Sequence, residues 1–520
     1  MRKSPPENIL VIRTHRLGDI LQLTPMLGGL RQSYPGSRIY FATGQDYAPL
    51  LQGNPCIDSI IPIPEREYRN LLKNEPDRKP ALFNELYDLA SELRRIHFDL
   101  VINRQYEWGA VFASLLDAGE VLGGAYSPEK GFHFEDAPSA ELFATIRNRR
   151  GANRTNLADW ACRIAAVPPG GRRSHFPLWP QSLARADELL GPRNSSGARE
   201  GREAPIAIHM GAAKAFRQWG EENFMRLVSW LVAEKKRRVV LTGTPDERPL
   251  ASRVLKGLRT GPPEIVDLVG ATTLLEMGAV LHRCALLVSG DTGPAHIAAA
   301  VGTPVIALFF GTAYPWETAP YGPGHMIIYS DPPCAPCSHP DRCERHVCRE
   351  RITPERVMEA LETLDAVHSP EPTSRGGVTE TSAGGTRLFA TALNEAGEQI
   401  LIDPISRPEP FRPPAGTGTP IPFPMLSWHQ FLVQKSKEFE AAFHDGREGE
   451  AFALFSAYLG GLEYLKKDLA GSPEFQRTFT GWLGACSEAV DRKDLVTLRD
   501  IIEYGINPFC TAFAETGRVS

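Results

Sequence analysis

The residues of this chain best suited to chemistry lie directly after short apolar runs. Ser289-Gly-Asp-Thr-Gly-Pro-Ala-His296 leads out of one such run into the small-residue stretch Ile297 to Gly302. Pro294 suits the first position of a helix, where its missing N–H costs nothing. Gly293 lets backbone approach a ligand with no Cβ in the way. The free N–H groups and positive end of such a helix favour a phosphate. Thr292 can donate a hydroxyl hydrogen bond, and His296 lies one turn inside. The same pattern also describes an ordinary helix start capped by Asp291 or Thr292. A second stretch, His209-Met-Gly211 followed by Arg217-Gln-Trp219 and Glu222, again reads as strand, glycine loop and helix start. Arg217 can grip a diphosphate with two prongs, or it is a plain surface arginine. The third stretch is Arg13-Thr-His-Arg-Leu-Gly-Asp19. At a cleft rim Asp19 can take a proton from an attacking hydroxyl. Alternatively it caps the helix containing Ile20, Leu23, Leu27 and Leu30.

A fourth constellation is Cys334-Ala-Pro-Cys337, Cys343 and Cys348, with His339 and His346 inside it. Four closely spaced thiols that begin with a C-x2-C pair suit a tetrahedral site for zinc or iron. Such a site leaves no position for substrate, so its expected role is structural. Disulfides are the alternative. The chain has nine cysteines, an odd number, which argues against a disulfide scaffold.

These residues need elements to position them. Ile9–Ile12, Ile39–Ala42, Leu100–Ile102, Ile206–His209, Val239–Thr242, Leu286–Ser289 and Val305–Phe310 are uninterrupted short runs. Runs of this kind suit strands buried on both faces of a parallel sheet, and their alternation with helical patterns implies βαβ units. Two breaks, Pro192–Pro205 and Ser369–Thr386, are rich in Gly, Ser and charge. They divide the chain into 1–192, 205–367 and 387–520. The first two parts read as α/β domains with a cleft between them, where ligands bind beyond the carboxyl ends of the strands. The third begins with a hairpin over Arg387–Pro404. Pro-rich chain and apolar stripes follow, among them Phe475, Phe479, Trp482, Leu483, Cys486 and Val490. These read as a small helical bundle that could bind a partner or a second copy.

Length and composition set outer bounds. A chain of 520 residues accommodates about three domains. Net charge of −5 gives no case for a nucleic-acid partner. Arg147, Arg149, Arg150, Arg154, Arg172 and Arg173 fall close together, as a solvated face or as a landing surface for an anionic acceptor. No stretch reaches the ~18 apolar residues of a spanning helix. The polar N-terminus lacks a secretion signal, and the expected location is cytoplasmic, with a peripheral contact at the inner membrane.

Leu17-Gly-Asp19, His209-Met-Gly211 with Arg217-Gln-Trp219, Asp267-Leu-Val-Gly270 and Asp291-Thr-Gly-Pro-Ala-His296 occur in register from about residue 8 to 365. Together they resemble glycosyltransferase family 9, the ADP-heptose:lipopolysaccharide heptosyltransferases. The resemblance implies a GT-B fold, two Rossmann-like domains with the active site between them, and inversion at the anomeric carbon without a catalytic metal. By that resemblance Asp19 is the general base, and Asp291, Thr292, Gly293 and His296 belong to the loop that holds the donor's phosphates. Glu247 sits where the family has an acidic residue near the nucleoside. Arg217 stands where heptosyltransferases commonly carry Lys, and Met210 where Pro is usual. The implied partners are a nucleotide-sugar donor and a glycolipid acceptor. The cysteines are similar to those of second heptosyltransferases and of the iron-binding autotransporter heptosyltransferases that glycosylate protein. A protein acceptor is therefore one rival reading. A non-catalytic nucleotide-binding scaffold is another, and an unrelated GT-B enzyme such as a nucleotide-sugar epimerase is a third.

Overall fold

The computed structural model describes residues 4–68, 79–105, 108–148, 151, 153–171, 173–191, 204–258, 265–332, 334–337, 343, 346–368, 386–393 and 399–402. The expected linkers, apart from 204–205 and 386 at their ends, and the expected helical bundle lie outside these residues.

Every apolar run picked out above forms a strand. The first lobe holds β1 (Asn8–Ile12), β2 (Arg38–Gly44), β3 (Ser59–Ile63), β4 (Leu100–Asn103), β5 (Val121–Ser127) and β6 (Gly131–Phe134). Their order across the sheet is β3-β2-β1-β4-β5-β6. Strands β1 to β5 pair in parallel, and β6 turns back against β5. The second lobe holds β7 (Ile206–His209), β8 (Val239–Gly243), β9 (Ile265–Val269), β10 (Leu286–Gly290), β11 (Val305–Phe309), β12 (Met326–Ser330), β13 (Thr386–Leu393) and β14 (Gln399–Ile402). Its order is β14-β13-β12-β11-β10-β7-β8-β9, parallel through β12. Strands β4, β7, β10 and β11 are buried at every residue, which is why their sequences are continuous rather than alternating.

Each sheet reverses its strand order once, between β1 and β4 in the first lobe and between β7 and β10 in the second. Crevices open at such reversals. The stretches beginning at Arg13, at His209 and at Ser289 all lie at one of the two.

Two boundaries differ from the sequence reading. The hairpin expected over 387–404 forms, but β13 pairs antiparallel with β12, so it extends the second lobe's sheet and does not open a third domain. Local alternation identifies a hairpin without naming the sheet it joins. The first lobe also ends in space before residue 192. Helix Pro180–Leu190 buries Ala186 and Leu190 among residues of the second lobe such as Ala207 and Val305. Its Asp187 is held at both oxygens, each at 2.9 Å, by Arg283 from helix Leu274–Arg283.

The lobes meet along a polar seam. Helix Leu157–Ala165 packs in the first lobe's core through Trp160, Ala161 and Ile164, yet it buries Asp159 toward the second lobe. Asp159 Oδ1 accepts from the Tyr321 hydroxyl at 2.7 Å, and Oδ2 accepts from the Gln399 N–H of β14 at 2.9 Å. Nearby, Gln22 Nε2 donates to the Glu317 carbonyl at 3.3 Å, and Asn156 Nδ2 to the Ala319 carbonyl at 3.1 Å. Arg154 lies over the Trp316 ring, 4.5 Å from its centroid, and donates to the Tyr314 hydroxyl. That hydroxyl is pushed up to about 12, chiefly by burial, with Arg154 pulling the other way. Of the arginine group, Arg154 is thus fastened to the second lobe while its side chain stays exposed. Arg173 lies against Gly302; Arg149, Arg150 and Arg172, and the side chain of Arg147, are outside the description.

Candidate active site

In the first lobe, β1 ends at Ile12 and α1 (Leu17–Leu21) begins five residues later. Arg16, between them, has φ 63 and ψ 100, a conformation that costs a non-glycine residue energy and gathers at functional sites. Asp19 lies in the first turn of α1, but its carboxylate does not cap the helix. Its Oδ2 is met by Arg13 Nη2, while Arg13 Nη1 donates to the Arg104 carbonyl at 2.5 Å. The single helix expected for Ile20 to Leu30 is two, α1 and α2 (Thr24–Ser33). Around this pair, Gln105 binds Thr14 and His15, and His15 Nδ1 stands 3.5 Å from Glu65 Oε1.

In the second lobe, β10 runs into Gly290, Asp291 and Thr292, and α3 (Gly293–Ala300) leaves. Thr292 sits at the N-cap position with extended backbone, yet its hydroxyl turns away from the helix. It pairs with Ser289 Oγ at 2.9 Å and with the Gly290 carbonyl at 3.4 Å. The helix start therefore has no side-chain cap, and its first-turn N–H groups keep the capacity to bind an anion. Pro294 occupies the first turn as expected. Arg217 Nη1 stands 3.9 Å from Asp291 Oδ2, and its buried Nε has no partner among the described residues. Such a guanidinium, half-exposed beside the loop, retains donors for an incoming diphosphate.

His209 ends β7. Its Nδ1 contacts the Thr242 carbonyl at 3.2 Å, and its Nε2 lies 3.9 Å from Glu247 Oε1. Burial lowers the affinity of His209 for a proton, against the pull of Glu247. Glu247 is held by the Thr244 N–H at 2.8 Å. Its carboxylate fills the space where a Cβ at residue 211 would stand and lies 2.6 Å from the Cβ position of Gly243. Gly211 therefore makes room for Glu247.

The two lobes touch at this point. A Cβ at Gly18 would lie 2.5 Å from His296 Cδ2, and one at Gly293 would lie 3.1 Å from Leu17 Cδ2. His296 is buried, which lowers its pKa, while Asp291 from its own lobe and Asp19 from the other both raise it. The base candidate and the phosphate-loop candidate thus face one crevice, and the histidine between them senses both carboxylates.

The cysteine loop lies beside this second-lobe face. Cys337 N–H donates to the Gly311 carbonyl at 2.5 Å, and a Cβ at Gly311 would lie 3.5 Å from Cys348 Sγ. The His346 ring stacks on Phe216, next to Arg217, with centroids 6.5 Å apart. Burial raises the Cys334 thiol, and Cys337, Cys348 and Cys343 raise it further. All four are free thiols. Among the described residues no three His, Cys, Asp or Glu side chains are gathered in a set that could hold a metal; His339 lies outside them.

The family model for glycosyltransferase family 9 (heptosyltransferase) matches residues 86–347, which is half of the chain. The chain belongs to glycosyltransferase family 9. It is similar to lipopolysaccharide heptosyltransferase 3 of Escherichia coli, 28% identical over 307 residues that make up 58% of this chain and 84% of that protein. It is also similar to lipopolysaccharide heptosyltransferase 1 of Pseudomonas aeruginosa, 26% identical over 385 residues, 68% of this chain and 97% of that one. A solved glycosyl transferase family 9 structure from Veillonella parvula shares the fold, with TM-score 0.56 and 21% identity over 70% of this chain and 98% of that chain. This member of the family is a glycosyltransferase of GT-B architecture, and the scaffold and epimerase readings give way to it. No helix among the described residues is long and apolar enough to cross a membrane.

Three residues that the structure places where the lobes meet or beside Asp19 escaped the sequence reading. Arg13 stood inside a quoted motif without a role. Gly18 is required by the close approach of His296. Asp159 reads as a solvent-facing residue of an amphipathic helix. Only a pairing of distant segments identifies any of them.

Proposed function

We propose that this chain transfers a heptose from ADP-heptose to a sugar hydroxyl of a lipopolysaccharide-core acceptor, with inversion at the anomeric carbon. The observation that carries the reading is the meeting of Asp19 and the uncapped start of α3 across the Gly18–His296 contact. The names of the relatives supply the heptose and the lipopolysaccharide acceptor, and the motif resemblance supplies the ADP.

In this reaction the acceptor oxygen bonds to the anomeric carbon as the bond from that carbon to the diphosphate breaks. The hydroxyl proton passes to Asp19, a contribution of order 10²–10⁴ in rate. ADP departs carrying the bonding pair. The N–H groups at the start of α3 and the Arg217 guanidinium oppose the charge that develops on it. His209 and Glu247 shape the wall toward the nucleoside. No step needs a metal.

The test is incubation with ADP-heptose and a heptose-deficient core glycolipid, followed by mass spectrometry of the acceptor and assay of released ADP. Asp19→Asn should abolish transfer and leave donor binding intact. Undiminished transfer by that variant overturns the assignment of the base, and absence of heptose from the wild-type product overturns the donor.

The cysteine loop is proposed as a structural zinc or iron site on the spacing of Cys334, Cys337, Cys343 and Cys348, which would have to close further round an ion than the described residues stand. Metal analysis of the purified chain finding well under one equivalent overturns it. We further assign the enzyme a peripheral place on the cytoplasmic face of the inner membrane, where a glycolipid acceptor would present its core. Failure to float with anionic vesicles at low salt overturns that placement.

A further inference from the structure

We propose that Arg13 is the positioning residue of the reaction: it fixes Oδ2 of Asp19 and leaves Oδ1 as the atom that receives the acceptor's proton. The proposal rests on the reading of Asp19 as the base.

The residue's surroundings carry it. Strands β1 and β4 are parallel neighbours with Ile12 opposite Asn103, so residues 13 and 104 emerge side by side at the sheet's reversal. The backbone there is tied in both directions, Arg13 N–H to the Ala42 carbonyl at 3.0 Å and Arg104 N–H to the Ile12 carbonyl at 3.0 Å. From this anchored position the guanidinium spreads across the crevice floor. One terminal nitrogen takes the Arg104 carbonyl, and the other takes Asp19 Oδ2. The Arg13 side chain is 9% exposed and that of Asp19 is 23% exposed. The arginine is therefore closed off from the substrate, and the carboxylate is open to it.

A rigid guanidinium anchored at one nitrogen by a carbonyl holds the carboxylate oxygen that its other nitrogen meets. A free Asp rotates about two bonds; one gripped at Oδ2 keeps Oδ1 for the acceptor. Lys cannot reproduce this, because a single ammonium on a flexible stem cannot span the carbonyl and the carboxylate in the same plane. Whereas the Arg217 side chain is half-exposed, that of Arg13 is closed off from solvent. Its effect must pass through Asp19.

The experiment uses the full chain with wild type, R13K, R13Q, D19N and R13Q/D19N, reading kcat, both KM values and Tm. Misplacement of a reacting group by about 1 Å costs roughly 100-fold. R13Q should lose about that much in kcat, and R13K about 10-fold, with donor KM within about 3-fold of wild type in each. Residues acting as one unit are non-additive, so R13Q/D19N should be no slower than D19N alone. If D19N collapses while R13Q and R13K keep wild-type kcat, or if the double variant loses the product of both single losses, the Arg13 proposal is overturned and the base stands. If D19N transfers normally, the base itself is wrong. Should R13Q fail to fold, R13K decides: kcat within about 2-fold of wild type overturns the proposal.

Discussion

Replacing Gly18 by Ala should cripple transfer while leaving the fold intact. Gly18 lies within α1 at a negative φ, so Ala is compatible with its backbone. Ala in a helix is favoured over Gly by roughly 0.5–1 kcal/mol. On local grounds alone the substitution stabilises. The added Cβ, however, would stand 2.5 Å from His296 Cδ2 and 2.8 Å from His296 Nε2, against 3.4 Å or more for ordinary contact. About 1 Å must be found. The imidazole is buried, packed with the first turn of α3, and has little room to rotate. Gly18 and His296 belong to different lobes, so the least costly relief is a slight parting of the lobes at this point. That parting moves Asp19 away from the donor's anomeric carbon. A shift of this size costs about 10²-fold in rate, whereas overpacking within one core would cost ~1–3 kcal/mol of stability. Initial rates of ADP release and thermal unfolding on the same preparation separate the two. A kcat loss of 30-fold or more with Tm lowered by less than about 2 °C is the expected pair. Transfer within 3-fold of wild type would refute the idea that this contact sets the distance between base and donor.

The buried histidines make stability depend on pH in a stated direction. Burial holds His325 down to about 3, with Arg173 and His296 adding to the effect, and burial also lowers His209 and His296. In the unfolded chain each titrates near ~6.5, so below that pH the unfolded state binds protons the folded state refuses. Each such histidine then costs about 1.4 kcal/mol per pH unit down to its folded pKa. Urea midpoints should fall between pH 7 and 5, and the slope should be shallower for His325→Leu; equal midpoints at the two pH values contradict this. Truncation should show where the catalytic unit ends. A chain of residues 1–407 should keep transfer, because this segment, apart from 147–149, clusters as one compact unit, whereas residues 1–368 alone should melt several degrees lower, having lost the β13 partner of β12 and the Gln399 N–H on Asp159. Equal melting of the two truncations counts against a structural role for the hairpin. Glu247→Gln should raise donor KM about tenfold, ~1.4 kcal/mol, with kcat little changed; titration calorimetry with ADP that finds wild-type affinity would remove Glu247 from the donor site.

What was legible in the sequence was whatever a segment states about itself. A strand buried on both faces has little room for polar residues along its length, so Ile206-Ala-Ile208 and Leu286-Leu-Val288 announce themselves. The start of α3 is equally local: Pro294 after Gly293 specifies a helix N-terminus wherever it lies. Less visible was whatever needs two segments at once. Nothing in the motif around Asp19 says that its carboxylate returns six residues to Arg13, because that return depends on the chain turning at Arg16. Helix Pro180–Leu190 displays an apolar stripe without stating which lobe will cover it. The hairpin's alternation is likewise satisfied by a sheet of its own or by an edge already present. The choice between capping and chemistry for Thr292 rested on one side-chain torsion, and in the structure its hydroxyl turns toward Ser289.

Asp159 gives the hairpin an ancestry problem that its position in the chain conceals. The carboxylate lies inside the family's matched region, and one group that it serves, the Gln399 N–H, lies past the end of that region. Swapping tails between relatives is therefore never a matter of choosing a cut point alone. A chimera that imports this hairpin onto a host lacking an acid at the equivalent of residue 159 would leave the Gln399 N–H without that acceptor, and a host that keeps the acid without the hairpin would take one donor from a buried carboxylate. Domain shuffling in this branch of the family should leave a paired signature, with the internal acid and the appended strand gained or lost together.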